Sequence, residues 1–391
     1  MSLASDSNSP VLIAGGGIGG LAAALALSRI GWPSVVLEQS REFGEVGAGI
    51  QISPNVFKMF DALGIRDAIE RIAVFPDSIL VRDAVSGAEI LRTPLGSEFL
   101  ARYHYPYGVI YRPDLLDTLL QACTGSSLIT LRTGTKVVDY EDHGTVVSIA
   151  TATGDRFEGR ALIGADGLWS RIRERVVGDG KPRVAGHIAY RAVLPIDKAP
   201  EHARVHRVNL WAGPRTHFVH YPLRRGELLN LVAVFHSDRY EEGWDTYGDP
   251  RELYAKFAHA RPEVRDLLDL IESWRMWVLC DREPVGNWSA GRVTLLGDAA
   301  HPTLQYLAQG GCMAIEDAVV LARSLQASGD DVARAFVNYQ QQRVLRTARV
   351  QLTSRFVGDY VYHVRGAAAE VRNQMLANLP RESMAWLYDG V

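Results

Sequence analysis

The sequence predicts a mixed α/β protein, in which a domain built on a parallel sheet is joined to a second, sheet-rich domain and to C-terminal helices. Apolar runs at 10–14 and 34–38 flank an Ala/Leu-rich stretch at 21–30, which is the pattern of a right-handed βαβ unit. Between 188 and 235, segments with β-branched or alternating apolar residues indicate a block dominated by sheet. From Ala333 to about Leu387 the pattern is helical.

Chain length and element order predict how the domains are divided. A chain of 391 residues exceeds the usual size of one hydrophobic core, so we expect two packed domains. A buried-strand pattern returns at 292–296, after the sheet-rich block, so the first domain should be discontinuous in sequence. We assign residues 1–75, 106–180 and 284–345 to the parallel-sheet domain, 76–105 and 181–283 to the substrate domain, and 346–391 to a C-terminal helical segment.

Composition argues against several classes of protein. The net charge of −3 comes with no dense run of Lys or Arg, so we expect no nucleic-acid partner. Three scattered cysteines, Cys123, Cys280 and Cys312, suit neither a disulfide framework nor a tetrahedral metal site, and they favour a cytoplasmic location and no metal. Residues 9–28 carry no charge, but the glycines at 15–20 interrupt the run, so we expect no membrane span.

The glycines after the first predicted strand indicate a Rossmann-like dinucleotide site. In the spacing Gly15-x-Gly17-x-x-Gly20, the first glycine permits a tight turn, the second lets the backbone approach a pyrophosphate, and the third allows close packing. The following helix start offers N–H donors to phosphate. Glu38 ends the next strand, where its carboxylate can accept hydrogen bonds from ribose hydroxyls. These residues alone leave FAD and NAD undecided.

Two later motifs, in this order along the chain, carry a resemblance to a family. Residues 164–173 contain Asp166-Gly167, and residues 297–302 read Gly-Asp-Ala-Ala-His-Pro with Asp298 at the second place. A turn-forming aspartate is the structural alternative for Asp166, and a helix-capping aspartate is the structural alternative for Asp298. Together with the first glycines, these segments resemble the group A flavoprotein aromatic hydroxylases, which have the p-hydroxybenzoate hydroxylase fold. The resemblance extends from about residue 10 to about residue 346.

That resemblance implies an FAD-binding domain and assigns residues to the cofactor. Asp298 would hold the ribityl chain, and Asp166 would belong to the environment of the nicotinamide and the flavin. The segment 44–51 would lie beside the flavin ring, and Arg112 would contact the cofactor. The cofactor-binding residues implied in this way are Gly15, Gly17, Gly20, Glu38, Arg41, Ala48, Gly49, Gln51, Arg112, Asp166, Asp298, Gly310 and Gly311.

The resemblance also implies the chemistry. NADH or NADPH, with NADH favoured, would reduce the flavin as a transient co-substrate, and dioxygen would then form a flavin hydroperoxide that attacks an electron-rich ring. The chain shows no second glycine fingerprint for a resident nicotinamide cofactor, which agrees with this expectation. A homodimer is also expected. A flavin-free NAD-dependent dehydrogenase and a non-hydroxylating flavoprotein are the alternatives.

The substrate side of the predicted site rests on three residues. The strand period of two places His217, Val219 and Tyr221 on one face of a predicted strand, so an imidazole and a phenol share that face. A histidine can accept a phenolic proton, although an isolated strand histidine is more often a packed core residue. Gln305 follows closely behind Asp298 and should lie near the flavin ring.

These three residues resemble the set found in family members that hydroxylate 3-hydroxybenzoate para to its hydroxyl, giving 2,5-dihydroxybenzoate (gentisate). Salicylate, 6-hydroxynicotinate or another small phenolic acid is the alternative substrate. An aromatic carboxylate should meet a cation or several hydrogen-bond donors. Both Arg191 and Arg224 are candidates, and the sequence does not choose between them.

Overall fold

The computed structural model describes residues 9–44, 47–237 and 246–390. A six-stranded sheet forms the first half of the protein, and it is parallel except for its short edge strand. Its central strand, Val11–Ala14, is buried on both faces, as expected for a parallel strand covered by helices. The strands, in spatial order, are β18 (Ser289–Ala290), β19 (Val293–Leu295), β11 (Ala161–Gly164), β1 (Val11–Ala14), β2 (Ser34–Leu37) and β7 (Ile129–Arg132).

Helices pack on this parallel sheet and complete its core. The first of them begins at Ile18, three residues before the predicted start, and packs against three later helices. Its small residues allow this close approach: a Cβ added at Gly19 would lie 2.8 Å from Leu296 Cδ2. These helices are α1 (Ile18–Arg29), α2 (Pro54–Leu63), α3 (Arg66–Ile72), α5 (Arg112–Thr124), α6 (Arg171–Val176), α9 (Gly310–Ser328) and α10 (Val332–Val357).

An eight-stranded, mostly antiparallel sheet forms the second half. The strand Thr216–Leu223 is buried along its whole length because both faces of the sheet are covered. Phe218 packs with helices α7 (Pro250–Lys256) and α8 (Pro262–Leu268), whereas Val219 and Tyr221 pack on the opposite face, which confirms the predicted alternation. The strands, in spatial order, are β16 (Thr246–Tyr247), β17 (Arg275–Asp281), β12 (Arg183–Pro195), β15 (Leu228–His236), β14 (Thr216–Leu223), β13 (Arg207–Gly213), β4 (Ser78–Asp83) and β5 (Glu89–Pro94).

The remaining elements connect the two halves. After α10 the predicted helical stretch is divided: a π-helical turn at Gly358–Tyr362 follows it, and Gly366, with φ of +57°, precedes the next helix. The predicted helices near 251–275 end at Leu268. The other elements are β3 (Gly49–Ile52), β6 (Gly108–Tyr111), β8 (Val137–Asp142), β9 (Val147–Thr151), β10 (Arg156–Gly159), α4 (Ser97–Tyr103), α11 (Ala367–Ala377) and α12 (Ala385–Tyr388).

The mixed α/β fold class is therefore confirmed, while the domain boundaries stay a prediction. Among the helices of the described residues, none has the length and apolar character needed to cross a membrane. The charge-free run at 9–28 is instead β1, a glycine turn and α1, and it is buried in the core.

A buried ionic network joins α9 to α10. The Arg343 guanidinium, which is fully buried, donates to Asp317 Oδ1 at 2.6 Å and lies 2.7 Å from Glu316 Oε2. Arg346 pairs with Glu316 Oε1 at 2.7 Å, and His301 Nε2 lies 2.6 Å from Asp317 Oδ2. Burial alone would raise the pKa of Asp317, but His301 and Arg343 hold it well below its usual value. Two buried carboxylates are thus matched by two guanidinium groups.

Replacing Arg343 with methionine should remove a positive charge that pairs with both buried carboxylates, Glu316 and Asp317. We expect Arg343→Met to lower the free energy of unfolding by about 3–5 kcal/mol, since breaking a buried ion pair by removing one partner strands the other charge. Urea denaturation of the FAD-loaded protein measures the change. Arg334→Met, at an exposed position on the same helix, is the matched control. An equal decrease in the free energy of unfolding in the two variants would contradict this account of the network.

Candidate active site

A cavity of about 1760 Å³ lies between the two halves. Gly17 and Asp298 line it on the side of the parallel sheet, and His217 and Tyr221 line it on the side of the eight-stranded sheet. Cavities for one small ligand usually have about 300–1,000 Å³. This space is large enough for a dinucleotide and a second, smaller molecule.

The glycine turn after β1 has the geometry that a pyrophosphate requires. Gly15 has φ of +109°, and a Cβ there would lie 2.3 Å from the carbonyl oxygen of Ala165. A Cβ at Gly20 would lie 1.9 Å from the carbonyl oxygen of Gly15, so this position requires glycine. Gly17 has nothing within 4 Å of an added Cβ and lines the cavity just before α1 begins. A phosphate can therefore approach the backbone at Gly17 and the positive end of α1.

Glu38 holds this turn from the end of β2. Its Oε2 accepts a hydrogen bond from the N–H of Gly16 at 2.7 Å, and its Oε1 accepts one from the N–H of Ser40 at 2.7 Å. Each carboxylate oxygen has a second lone pair, so a ribose contact stays compatible with these bonds. Arg41 is exposed and does not line the cavity, and its contact with the cofactor stays a prediction.

Asp298 is an exposed residue between two buried ones, Gly297 and Ala299, and it faces the cavity. Gly310 and Gly311 line the cavity beside it and form the first turn of the 19-residue helix α9. A Cβ at Gly311 would lie 2.7 Å from Ile50 Cδ1, so a larger side chain at this position would collide with Ile50. An acceptor next to a helix N-terminus suits a polyhydroxy chain followed by a phosphate.

Asp166 has a structural task in this fold. Its Oδ1 accepts from Ser170 Oγ at 2.5 Å, and its Oδ2 accepts from the N–H of Arg171 at 2.8 Å, so it caps the start of α6. Burial raises the pKa of Asp166. The carboxylate does not line the cavity, whereas Gly167, with φ of +76°, does. The structure thus shows Asp166 capping a helix, a role that the sequence did not indicate for it, and a role of Asp166 toward the cofactor stays a prediction.

Sequence reasoning missed a buried ionic link among the family motifs. Arg173, which follows Asp166 in the same motif, donates to the carbonyl oxygens of Ala299 and Ala300 at 2.9 and 2.5 Å. It also pairs with Asp179 at 2.6 Å, and Arg282 pairs with the same carboxylate at 3.0 Å. The motif around Asp166 is thereby tied to the loop that presents Asp298. The sequence offers many arginines and no local sign that this one is buried.

Strand β3 and Ala48, which precedes it, line the cavity. Ala48 accepts from the N–H of Arg112 at 2.9 Å, and Gln51 accepts from Tyr107 Oη at 2.5 Å. A Cβ at Gly49 would lie 2.6 Å from Tyr221 Cε2, so only glycine fits there. Ala48, Gly49, Gln51 and Arg112 all line the cavity, and their position beside a flavin stays a prediction. Glu45 and Val46, in the same motif, lie outside the described residues.

The structure brings the three predicted substrate residues together, since His217, Tyr221 and Gln305 line one cavity. His217 Nδ1 lies 2.7 Å from His363 Nε2, so Nε2 is the ring nitrogen of His217 that His363 does not engage. Burial and the neighbouring His187 lower the pKa of His217 to about 3. Burial raises the pKa of Tyr221 well above its usual value. Both groups are therefore neutral at physiological pH.

The structure also distinguishes the two candidate arginines. Arg191 is a half-buried cation that lines the cavity, donates to Gln305 Oε1 and lies over the Trp277 ring. Its Nε has no hydrogen-bond partner among the described residues. Burial and Arg112 lower its pKa to about 10, so it keeps its charge at neutral pH. Arg224 instead pairs with Asp114 at 2.7 Å, outside the cavity.

Residues from the C-terminal segment complete the wall, which sequence reasoning did not predict. Tyr362 lines the cavity, and its ring centroid lies 5.0 Å from that of His217. Tyr306 packs against the same histidine with a centroid separation of 5.4 Å. The only available signal was the aromatic and histidine content of residues 360–363.

The parallel sheet, the glycine cradle and the acceptor beside α9 define a dinucleotide-binding protein. Comparison with known proteins extends this result. The family model described as "FAD binding domain" matches residues 8–353. The 3-hydroxybenzoate 6-hydroxylase of Polaromonas naphthalenivorans (strain CJ2) is 46% identical over 97% of this chain and 95% of its own length. A 3-hydroxybenzoate 6-hydroxylase 1 of Aquipseudomonas alcaligenes is 44% identical over 96% of each chain.

Among solved structures, a variant of Klebsiella pneumoniae HpxO complexed with FAD superposes with a TM-score of 0.86 at 26% identity, covering 98% of this chain and 99% of its own. This chain belongs to the FAD binding domain family and is a flavin-dependent aromatic monooxygenase of that family. The predicted resemblance and the predicted FAD are therefore confirmed.

Asp298→Ala should weaken FAD binding more than it weakens the fold. A hydrogen bond to a charged group contributes about 1.5–3 kcal/mol, so we expect FAD affinity to fall roughly 10- to 150-fold. Flavin absorbance of the purified protein, followed by titration of the apoprotein with FAD, measures the loss. Asp269→Ala, at an exposed position that does not line the cavity, is the control. Full FAD occupancy in Asp298→Ala would contradict the assignment.

Proposed function

We propose that this protein uses NAD(P)H, with NADH favoured, and dioxygen to hydroxylate 3-hydroxybenzoate para to its hydroxyl, giving gentisate. The observation that carries the proposal is a half-buried cation, with one guanidinium nitrogen that has no hydrogen-bond partner among the described residues, in the same cavity as a neutral imidazole and a neutral phenol. The two relatives described above bear the name of this activity.

The cofactor's part in the reaction is general to its class. Bound FAD, once reduced by the nicotinamide co-substrate, supplies activated oxygen for electrophilic attack on the ring. Gly17, Asp298 and the first turn of α9 would hold its phosphates and ribityl chain, and Gly49 would leave room beside its ring system. The protein's remaining tasks are to orient the substrate, to remove its phenolic proton and to exclude water.

Sheet register supports the placement of the carboxylate. Arg191 is paired with Val232, and Val232 is paired with Val219, so Arg191 points to the same face of the sheet as His217 and Tyr221. It lies two strands away, or roughly 10 Å between backbones, and its long side chain shortens that gap. We infer that the substrate carboxylate pairs with Arg191 while the ring hydroxyl meets His217.

The histidine would act as the base for the phenol. Since His217 Nδ1 is hydrogen-bonded to His363, its Nε2 is the nitrogen that would accept the phenolic proton. The resulting phenolate donates electron density to its para and ortho carbons, which favours attack by an electrophilic oxygen there. Tyr221 and Gln305 would orient the oxygen by hydrogen bonds.

The predicted homodimer and cytoplasmic location stay predictions. Support for the homodimer comes from exposed apolar side chains on the C-terminal helices: Leu345 is 82% exposed and Met375 is 62% exposed. A second copy of the chain would cover side chains of this kind.

Product analysis tests the substrate. We expect 3-hydroxybenzoate to stimulate NADH oxidation by the FAD-loaded protein, with one gentisate formed for nearly every NADH consumed. Salicylate and 6-hydroxynicotinate should stimulate less, or should yield hydrogen peroxide instead of a hydroxylated product. Coupled hydroxylation of salicylate with none of 3-hydroxybenzoate would refute the assignment, and NADH oxidation without any hydroxylated product would favour a non-hydroxylating flavoprotein.

His217→Asn should lower coupled hydroxylation by roughly 10²- to 10⁴-fold, the usual contribution of a general base, while FAD content stays near that of the wild type. Rapid-reaction kinetics and product yield measure the effect. His220→Asn is the matched control because this buried histidine lies on the opposite face of the same strand, beside Phe218. Unchanged coupled turnover in His217→Asn would remove its role as base.

Arg191→Met should raise the KM for 3-hydroxybenzoate. Loss of a charged hydrogen-bonding partner, about 1.5–3 kcal/mol, predicts an increase of roughly 10- to 150-fold. The neutral analogue 3-hydroxybenzamide is the control substrate, since it has no carboxylate to pair and its KM should change far less. A similar rise for both substrates would show that Arg191 acts through the shape of the pocket, not through charge.

A further inference from the structure

Three histidines that the proposed reaction does not use meet behind the substrate end of the cavity. We call His187, His236 and His363 the histidine cluster; one ring nitrogen of each lies within 4.8 Å of the others. His236 Nε2 lies 3.1 Å from His363 Nδ1, and the ring centroids of His187 and His236 are 4.2 Å apart. Within the described part of the chain, no other group of His, Cys, Asp and Glu side chains has this spacing.

The backbone holds these rings in place. His187 and His236 are directly paired across β12 and β15. The N–H of Arg215 donates to the carbonyl oxygen of His363 at 3.0 Å, and the N–H of His236 donates to the carbonyl oxygen of Arg215 at 3.1 Å. The C-terminal segment therefore presents His363 to the end of the sheet. His236 is only half-buried, which leaves an entry path from solvent.

Two of the rings are also oriented by their second nitrogens. His187 Nδ1 lies 2.5 Å from Tyr306 Oη, and His363 Nε2 lies 2.7 Å from His217 Nδ1. This leaves His187 Nε2 and His363 Nδ1 to face the centre of the cluster. Metal-binding histidines usually have such a partner on the far nitrogen, which sets the ring orientation and the tautomer.

The charge state of the three histidines also suits metal binding. Burial lowers the pKa of His187 and of His236 to about 4, and burial with the neighbouring histidines lowers the pKa of His363 well below its usual value. All three rings are neutral at physiological pH, so each has a lone pair available without releasing a proton. Asp359, 56% exposed, places Oδ1 3.9 Å from His187 Nε2 and adds a carboxylate at the open side.

We propose that the histidine cluster is a binding site for a divalent transition-metal ion of the Zn²⁺ type, with Asp359 or water as the fourth ligand. Tetrahedral Zn²⁺ with bonds of about 2.0–2.1 Å to nitrogen needs ligand atoms roughly 3.3 Å apart. The 3.1 Å between His236 and His363 nearly meets this spacing, and closure of the remaining distance needs small side-chain rotations. Three imidazoles favour Zn²⁺, Co²⁺ or Cu²⁺ over Mg²⁺ or Ca²⁺.

Metal binding here would act on the proposed base, and this part of the inference rests on the proposed function. A His363 that binds metal through Nδ1 must carry its proton on Nε2, so that Nε2–H donates to His217 Nδ1. Neutral His217 then holds its own proton on Nε2. That is the nitrogen required to accept the phenolic proton, so the bound ion inhibits hydroxylation without touching the flavin.

Calorimetry tests the site itself. Tag-free, FAD-loaded protein is freed of metal with a chelator, transferred to chelator-free buffer and titrated with Zn²⁺. We expect one ion per chain, and affinity at least about 100-fold weaker in His236→Asn and in His363→Asn, because loss of a ligand exceeds the 10- to 100-fold cost of losing an outer partner. His202→Asn, at an exposed histidine outside the cluster, should bind like the wild type. Flavin content checks folding. Equal Zn²⁺ affinity in the wild type and His236→Asn overturns the site.

Turnover tests the inhibition, with each variant compared with its own metal-free rate. Zn²⁺ should reduce hydroxylation in the wild type over the concentration range in which calorimetry shows binding, and it should have no such effect in His236→Asn. Stoichiometric binding with unchanged hydroxylation overturns the effect on His217. If the protein does not hydroxylate 3-hydroxybenzoate, the proposed function fails, and the calorimetric result still decides the metal site.

Discussion

The pairing of Glu316 and Asp317 with Arg343 and Arg346 is the interaction on which the rest of the site depends. Glu316 and Asp317 lie on α9, whose first turn lines the cavity, and the two arginines lie on α10. Asp317 also accepts from the N–H of Gly297 at 3.0 Å, so the carboxylate that pairs with Arg343 fixes the loop presenting Asp298. Removal of the network would release the loop as well as the two helices.

The same network reaches the other side of the cofactor end. Asn55, at the start of α2, donates to Glu316 Oε1 at 2.8 Å and to Gln309 Oε1 at 3.0 Å. Strand β3, which carries Gly49, runs directly into this helix. A single set of buried charges therefore positions the loop at Asp298, the start of α9 and the strand beside the substrate. Burying such charges costs free energy, and here the pairing of two carboxylates with two guanidinium groups offsets that cost.

The substrate end is built differently, from the close approach of two sheets. The strand β14 supplies His217 and Tyr221, and Gly49 allows β3 to come within contact distance of the Tyr221 ring. Tyr306 and Tyr362 close the space behind His217. The result is a dry environment in which the histidine and the tyrosine stay neutral, while Arg191 keeps a charge that lacks a full set of partners.

The sequence alone determined the features that depend on near neighbours in the chain. The spacing of Gly15, Gly17 and Gly20 sets a local backbone turn, and the period of two along β14 puts His217 and Tyr221 on one face. The tertiary structure decided the rest, because those features depend on which distant elements meet. Only the fold shows that Arg191 lies in the cavity and Arg224 outside it, that Asp166 caps α6, and that residues 306 and 360–363 form the wall behind His217.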